Sequence, residues 1–209
     1  MEKYGIIYAD FAHSVENGSW GGESYSYTAG TGFKNYYVDG KYEEGPFPAN
    51  DILVADGAGN ERFLIMALED ISSSNYTWYE SGCEDGIEVI TETGIGLNEE
   101  GKEIGKANTE KMLAKWTADT DTEKSNNDIW GQIGENSNWF IPSKDEWFAF
   151  ADAFDIDSSN YSGTYGLSGY YWSSSQDGAD GAWGTDFAED GMYYYYIDGT
   201  NYVRMSATF

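Results

Sequence analysis

The last quarter of the chain constrains the fold most, because glycine and aspartate break it into pieces too short for helices. Four runs, Tyr170–Ser175, Ala182–Phe187, Met192–Ile197 and Tyr202–Met205, have the composition of short strands. Nine of the 18 tyrosines lie at or beyond position 161. Such pieces, joined by Gly- and Asp-containing turns, predict a tyrosine-rich antiparallel sheet.

Upstream of this region, one helix is clearly specified. Ser143 and Glu146 stand in the S-x-x-E spacing of a capping box, in which each side chain satisfies a free backbone N–H, and Pro142 precedes them. The spacing predicts a helix from about Lys144 to Phe154. Its apolar residues recur every three or four positions, so we expect them in the core: Trp147, Phe148, Phe150, Ala151 and Phe154.

A second helix is predicted to be capped by Asn108 or Thr109 and to run through Trp116, with Met112 and Leu113 on the same face as Trp116. Strand-like runs occur at Tyr4–Ala9, Asp51–Ala55, Arg62–Leu68 and Ile87–Ile90. This order of strands, two helices and further strands predicts an α+β fold with helices packed on short antiparallel strands and many loops. No domain boundary is evident, and residues 1–60 are interpreted as an N-terminal elaboration.

The charge excludes several partners. The 209 residues include 11 Lys+Arg and 37 Asp+Glu, a net charge of −26, so a basic face for nucleic acid or anionic membranes is not expected. The aromatic content of 17% is too high for a disordered chain. The longest apolar run, Phe63–Leu68, is far shorter than the roughly 20 residues that span a bilayer, so membrane insertion is not expected. The N-terminal residues show no signal peptide.

No enzyme class emerges from the sequence. Cys83 and His13 are the single cysteine and histidine, which excludes an internal disulfide and multi-His or thiolate zinc sites. We interpret both as structural. The nucleophile-elbow, Walker and dinucleotide-binding patterns are absent. Pairs of carboxylates suited to glycoside hydrolysis arise by chance among 37 acids, and a solvated surface is the preferred interpretation.

Two acidic stretches begin like calcium loops. The first starts at Asp155–Asp157 but has Gly166 where the bidentate Glu should stand. The second, Asp119–Glu123, has Lys124 at its sixth position and Trp130 at its twelfth. Neither is an EF-hand, and no cofactor is predicted, although an irregular calcium site built from distant loops stays open.

Several motifs in the C-terminal half occur in an order typical of one family. They are Asn138–Phe150, Gly169–Gln176, Ala182–Phe187, Gly191 and Tyr202–Arg204, preceded by Ala67–Asp70, Trp78 and Gly105–Leu113. The chain from about residue 60 to 209 resembles the C-type lectin-fold variable proteins of diversity-generating retroelements, which include bacterial and phage surface domains.

The resemblance implies a single C-type lectin-like domain, with a ligand-binding region at about 170–205 that is diversified by adenine-specific errors of a reverse transcriptase. The scaffold it implies comprises Trp139, Pro142, Trp147, Trp172, Ser173, Ser174, Trp183, Phe187, Gly191, Val203 and Arg204. The variable, ligand-binding positions it implies are Asp177, Ala179, Asp180, Gly181, Gly184, Asp186, Tyr193, Tyr194, Tyr195 and Tyr196.

The residues themselves agree with a binding surface. Tyr193–Tyr196 lie in a strand-like piece, so their side chains must alternate, with two expected in the core and two exposed. Tyrosine with Asp, Gly and Ser is also the composition of antibody binding loops. The alternatives are a tyrosine-rich sheet without a binding role and one that mediates self-association.

The expected function is therefore non-enzymatic recognition of a protein ligand or receptor, by a protein displayed on a virion or cell surface. A calcium-dependent or glycan-binding lectin-like protein is the alternative. The calcium lectins' E-P-N or Q-P-D tripeptide is absent, since the prolines are Pro46, Pro48 and Pro142. Formylglycine-generating enzymes share the fold but use a cysteine pair. From Asp145 onward eleven acids face one basic residue, Arg204, which favours a basic or neutral partner.

Overall fold

The computed structural model describes residues 5–29, 62–79, 88–98, 102–119, 124–133 and 138–208, and the backbone of two short strands at 36–38 and 41–43. The strand predicted at Asp51–Ala55 and the single cysteine, Cys83, lie outside these residues.

Thirteen strands and three helices are described. The strands are β1 (Gly5–Asp10), β2 (Val15–Trp20), β3 (Glu23–Tyr27), β4 (Tyr36–Val38), β5 (Lys41–Glu43), β6 (Phe63–Ala67), β7 (Tyr76–Thr77), β8 (Trp139–Phe140), β9 (Tyr170–Gln176), β10 (Gly181–Asp186), β11 (Gly191–Tyr196), β12 (Thr200–Asn201) and β13 (Ser206–Thr208). The helices are α1 (Ile104–Ala118), α2 (Ile129–Gln132) and α3 (Lys144–Ala153).

Two sheets organise the described residues. The first has the order β1-β6-β13-β8, and both β1 and β13 run antiparallel to β6. The second has the order β11-β10-β9, also antiparallel. Three two-stranded pairs, β2–β3, β4–β5 and β7–β12, complete the described sheets. The predicted α+β class, with mostly antiparallel strands and few helices, is confirmed.

Helix α3 forms as the sequence predicts and lies in the larger of two hydrophobic clusters. Both bonds of the capping box between Ser143 and Glu146 are present. Trp147 and Phe148 are fully buried and Phe150 nearly so, with Phe154 packed at the edge of the cluster. The second cluster lies between α1, α2 and β9, and Met112 of α1 is buried there with Leu113 and Trp116 packed against it.

The start of α1 differs from the sequence-based prediction. The helix begins at Ile104 rather than after Asn108 or Thr109, and both of these residues are buried inside it. The reason is tertiary: Glu146 of α3 accepts a hydrogen bond from the backbone N–H of Gly105 at 3.1 Å. A donor of the first turn is thus satisfied by a side chain 41 residues away.

Two predicted strands are wrong. Tyr202–Met205 is not a strand; Tyr202 makes one isolated bridge to Tyr171, and the strands lie on either side, as β12 and β13. In Ile87–Ile90, the described residues 88–90 are not a strand, because the side chain of Gln176 accepts the N–H groups of Val89 and Ile90. Strands β2, β3, β4, β5, β7 and β8 and the single turn of α2 were not predicted. None of the described helices is long and apolar enough to cross a bilayer.

Candidate functional site

Strand β9 is held in the core by hydrogen bonds between tryptophan indole N–H groups and backbone carbonyls. The indole of Trp172 is fully buried and donates to the carbonyl of Tyr76 at 2.7 Å. The indoles of Trp147 and Trp78 donate to the carbonyls of Trp172 and Ser173, at 3.1 and 2.9 Å. Three tryptophans therefore fix the position of two consecutive residues of β9.

The polar side chains of β9 are buried as well, and each has a defined partner. Ser173 donates to the carbonyl of Trp183 at 2.7 Å, and Ser174 accepts from the side-chain amide of Asn108 at 3.3 Å. Ser175 donates to the carbonyl of Glu92 at 2.8 Å. With the two bonds that Gln176 accepts, this strand holds the irregular segment 88–98 and helix α1 in place.

The other implied scaffold residues are mostly buried. Arg204, 5% exposed, forms an ion pair with Asp70 in which Nε and Oδ1 are 2.7 Å apart. The carbonyl of Pro142 accepts the N–H of Ser174 at 2.8 Å. Phe187, Gly191 and Val203 are buried, whereas Trp139 and Trp183 are half-buried. The ammonium of Lys144 lies 3.9 Å from the ring centre of Trp183.

Strand β11, at the edge of the same sheet, is largely exposed. Tyr193, Tyr194 and Tyr196 are 41, 40 and 64% exposed, and Tyr170 at the start of β9 is 45% exposed. Seven large hydrophobic side chains are exposed in the described ranges, and these four tyrosines are the aromatic residues among them. Together with half-buried Tyr195 they form an aromatic surface, the β11 surface, which comprises Tyr170 and Tyr193–Tyr196.

The tyrosines of β11 alternate between the two faces of the sheet. Tyr194 lies opposite Trp183 in the register and packs edge-on against Tyr196, with ring centres 5.4 Å apart. On the other face, Tyr195 packs edge-on against Trp172 and Tyr170, at 5.9 and 6.3 Å. The predicted alternation is confirmed, but three of the four tyrosines are exposed and only Tyr195 is half-buried, because the outer side of β11 has no neighbouring strand among the described residues.

The two glycines of β10 provide space for tyrosine rings. A side chain at Gly181 would overlap the ring of Tyr194, and a Cβ at Gly184 would lie 2.9 Å from the ring of Tyr195. Both glycines are themselves buried. The two glycines thus leave room for the rings of Tyr194 and Tyr195 from the neighbouring strand.

The remaining predicted ligand-binding positions lie beside these tyrosines. Asp177 and Ala179 are half-buried in the turn before β10, and exposed Asp180 accepts the hydroxyl of Tyr194 at 2.9 Å. Asp186 is only 5% exposed and accepts the N–H of Ala188 at 2.9 Å. All ten predicted positions therefore fall on β10, β11 and one turn, and the most accessible are Asp180, Tyr193, Tyr194 and Tyr196.

Carboxylates surround both ends of the β11 surface. Partial burial raises the pKa of Tyr193, and the negative charges of Glu189 and Asp186 raise it further. Partial burial, with the hydrogen bond to Asp180 and the charge of Asp177, raises the pKa of Tyr194 to about 12. The hydroxyl groups therefore stay protonated and can donate hydrogen bonds at neutral pH.

Tyr170 was absent from the predicted ligand-binding positions. It lies opposite Asp186 in the register and contributes to the same face as Tyr195. No local pattern separates it from Tyr171, because every later residue of β9 is buried and exposure does not alternate along this strand.

No cluster of three or more His, Cys, Asp or Glu side chains suited to a metal ion occurs in the described part of the chain. In the stretch that begins like a calcium loop, Asp157 instead accepts the N–H groups of Ser159 and Asn160, at 2.8 and 3.1 Å. Most of the second stretch, residues 120–123, lies outside the described residues. His13 is exposed and pairs with Asp10 at 2.9 Å.

Comparisons with known proteins give no family. No family model matches the chain, and no curated protein sequence matches it. A fimbrial protein from Bacteroides ovatus is structurally similar, with a TM-score of 0.45 and 15% sequence identity over 88% of this chain. The chain spans about half, 50%, of the length of that protein. This similarity is too low to assign a fold family or a function.

Proposed function

We propose that this protein is a non-enzymatic ligand-binding protein that recognises a protein ligand or receptor through the β11 surface. In the same proposal, the region of about 170–205 is diversified by retroelement mutagenesis on a C-type lectin-like scaffold, and the protein is displayed on a virion or cell surface. The observation that carries the binding role is the clustering of four exposed tyrosines on one sheet, next to acidic turns.

The physical argument for binding is the cost of exposing aromatic rings. A buried tyrosine contributes a large apolar area, and four rings left exposed on the two faces of one sheet forgo that stabilisation. Tyrosine is also favoured in recognition surfaces, because its rigid ring supplies contact area with little loss of side-chain entropy. The exposed rings are therefore better explained by an intermolecular contact than by folding.

The division between fixed and accessible residues supports diversification. The implied scaffold residues Trp172, Ser173 and Ser174 are fully buried and bonded into the core. Tyr193, Tyr194 and Tyr196 can be changed without removing a core side chain, since they are exposed. A binding surface whose residues are replaced while the fold stays the same requires exposed variable residues on a buried, fixed scaffold.

Binding is tested with an array of purified surface-protein ectodomains. The triple variant Tyr193→Ala, Tyr194→Ala, Tyr196→Ala should lose the ligands that the unmodified protein retains. The matched control is Ile7→Ala, Leu68→Ala, Leu97→Ala, which removes three exposed apolar side chains elsewhere, 38, 54 and 40% exposed. Equal loss in both variants, or none in the tyrosine variant, would contradict the proposal.

Diversification has a separate test in the DNA beside the gene. We expect a near-copy of the 3′ end of the coding sequence and a neighbouring reverse transcriptase gene. If both are missing, the retroelement part of the proposal fails, although ligand binding does not. The lectin alternative is checked by a glycan array and by calorimetry with calcium, where signals that survive in the triple tyrosine variant would favour it.

A further inference from the structure

The outer edge of β11 is available for backbone pairing. In the described ranges, β11 pairs with β10 on one side and with no strand on the other. The open stretch is short: Gly21, in the turn between β2 and β3, lies against Asp190 and Gly191, and the carbonyl of Tyr196 accepts the N–H of Gly199 at 2.9 Å. It therefore covers about five residues, Met192–Tyr196.

The register shows which backbone groups point outward. The N–H of Ile197 donates to the carbonyl of Asp180 at 3.1 Å, so these two residues form a hydrogen-bonded pair. Hydrogen-bonded and non-hydrogen-bonded pairs alternate along an antiparallel ladder, so Tyr195–Ala182 and Tyr193–Gly184 are hydrogen-bonded pairs as well. Met192 and Tyr194 lie in the alternate pairs, so their N–H and C=O groups face away from β10. An unpaired edge of this kind is a template for another strand.

The charges around this edge select the chemistry of that strand. Asp177, Asp180 and Asp198 lie near one end of β11, and Glu189 and Asp190 precede the other. From Asp145 to the C-terminus the one basic residue is Arg204, which is buried and paired with Asp70. Among the residues that the structure describes, Lys144 is the cation near this sheet, and its ammonium already lies over Trp183.

We propose that the outer edge of β11 is a strand-addition site for an extended polypeptide segment that carries lysine or arginine side chains. This proposal rests on the proposed ligand-binding function of the β11 surface. The added strand pairs with the N–H and C=O groups of Met192 and Tyr194. Its alternate side chains reach the rings of Tyr194 and Tyr196 on one face and of Tyr193 and Tyr195 on the other.

Cationic side chains suit both faces for the same reason. An ammonium or guanidinium group is attracted to the face of a tyrosine ring, and here it also meets carboxylates at the ends of the strand. A second copy of this chain fits less well, because each copy carries a net charge of −26. An acidic or neutral segment lacks the charge complementarity that accelerates association.

The test uses capped heptapeptides of alternating lysine and valine as the probe. Two matched controls are a glutamate–valine peptide and a lysine–valine peptide N-methylated at the residues whose N–H groups would face β11. Affinities are measured by fluorescence polarisation. We expect the lysine–valine peptide to bind, the N-methylated peptide to bind at least about tenfold more weakly because edge hydrogen bonds are lost, and the glutamate peptide not to bind.

The protein supplies the reciprocal test. Tyr194→Pro removes an outward N–H, which an edge strand tolerates, and Tyr194→Ala is its control because it removes only the side chain. Thermal unfolding checks that both variants are folded. The proline variant should bind the lysine–valine peptide about tenfold more weakly than the alanine variant, since it also loses the backbone bond.

Three outcomes would overturn the inference. Equal binding of the N-methylated peptide, or of the two Tyr194 variants, would mean docking on the rings without strand addition. Failure of the lysine–valine peptide to bind would reject the cationic segment, while the array of ectodomains still decides the proposed function independently. A dimer in sedimentation that Tyr194→Pro abolishes would assign the edge to a second copy.

Discussion

Strands β9 and β11 belong to one three-stranded sheet yet differ in almost every side-chain property. On β9, Trp172 through Gln176 are buried, and their polar groups bond to α1, to the segment 88–98 and to β10. On β11, Tyr193, Tyr194 and Tyr196 are exposed. The two strands are separated only by β10, about 5 Å from each. One sheet can therefore carry a fixed strand and an accessible strand, provided that the fixed strand is packed against the helices.

The comparison predicts the largest effect at Trp172. Trp172→Ala should lower the free energy of unfolding by about 3–5 kcal/mol, because it empties a fully buried volume and removes the donor to the carbonyl of Tyr76. Tyr196→Ala on β11 should change it by about 0.5 kcal/mol or less, since the side chain is 64% exposed. Denaturant unfolding measures both, and similar losses would remove the distinction between the strands.

Between pH 5 and 8, stability should depend on a buried group of helix α3 and not on the tyrosines of the β11 surface. Burial raises the pKa of Glu146 to about 8 from 4.5, against the opposing N–H bonds from Ser143 and Gly105. The folded protein thus retains a proton that the unfolded chain releases. The resulting stability is fully present below pH 4.5 and is lost as the pH rises to about 8, at up to about 1.4 kcal/mol per pH unit.

Unfolding at a series of pH values checks this prediction. Glu146→Gln should flatten the decline between pH 5 and 8, because it cannot ionise. The triple alanine variant of Tyr193, Tyr194 and Tyr196 should keep the decline unchanged. A decline that persists in full in Glu146→Gln would assign the linkage to other acids, such as Asp145, whose pKa burial raises to about 6.

A smaller effect is expected when one hydrogen-bonding side chain of β9 is removed. Ser175→Ala should lower the free energy of unfolding by about 1–3 kcal/mol, because the N–H of Lys144 loses its partner and the carbonyl of Glu92 keeps only the bond from the side-chain amide of Asn108. Exposed Ser158, which bonds to Asp190, is the control, and its alanine variant should change stability by about 0.5 kcal/mol or less. Equal losses of unfolding free energy in the two variants would show that burial of Ser175 does not determine its contribution to stability.

The smallest change in stability, but a specific one, is expected at Gly181. Gly181→Ala should displace the ring of Tyr194 and weaken its bond to Asp180, at a cost of about 1 kcal/mol, because the ring can move into solvent. The ring resonances of Tyr194 should shift in NMR spectra. Gly169→Ala is the control, since no atom lies within 4 Å of its added Cβ. Unchanged ring resonances of Tyr194 would show that Gly181 does not determine the position of this ring.

The sequence predicted those elements whose signals are local. The capping box of Ser143 and Glu146 defines the start of α3 because both bonds lie within four residues. The pieces around Trp172, Trp183 and Tyr194 were placed in strands by composition and by their Gly- and Asp-containing turns, and they form β9, β10 and β11. The ten predicted ligand-binding positions came from a family resemblance, and the structure places them together on β10, β11 and one turn.

The predictions failed where a distant residue supplies the deciding bond. The first turn of α1 depends on Glu146 of α3, so no pattern near Ile104 marks it. Val89 and Ile90 have strand-like composition, yet their N–H groups bond to Gln176. These contacts join residues 41 to 87 positions apart, and local patterns carry no information about such pairs.

The exposure of Tyr193–Tyr196 likewise depends partly on local sequence and partly on contacts between distant segments. Local sequence is sufficient to make this piece a strand with alternating side chains, because alternation is a property of the extended backbone. It does not specify whether the strand is central or at an edge. The order β11-β10-β9 decides that, and it leaves Tyr193, Tyr194 and Tyr196 exposed while the packing of α1 and α2 buries Trp172. Strand order arises from contacts between distant segments, so only the tertiary structure could reveal which tyrosines form the surface.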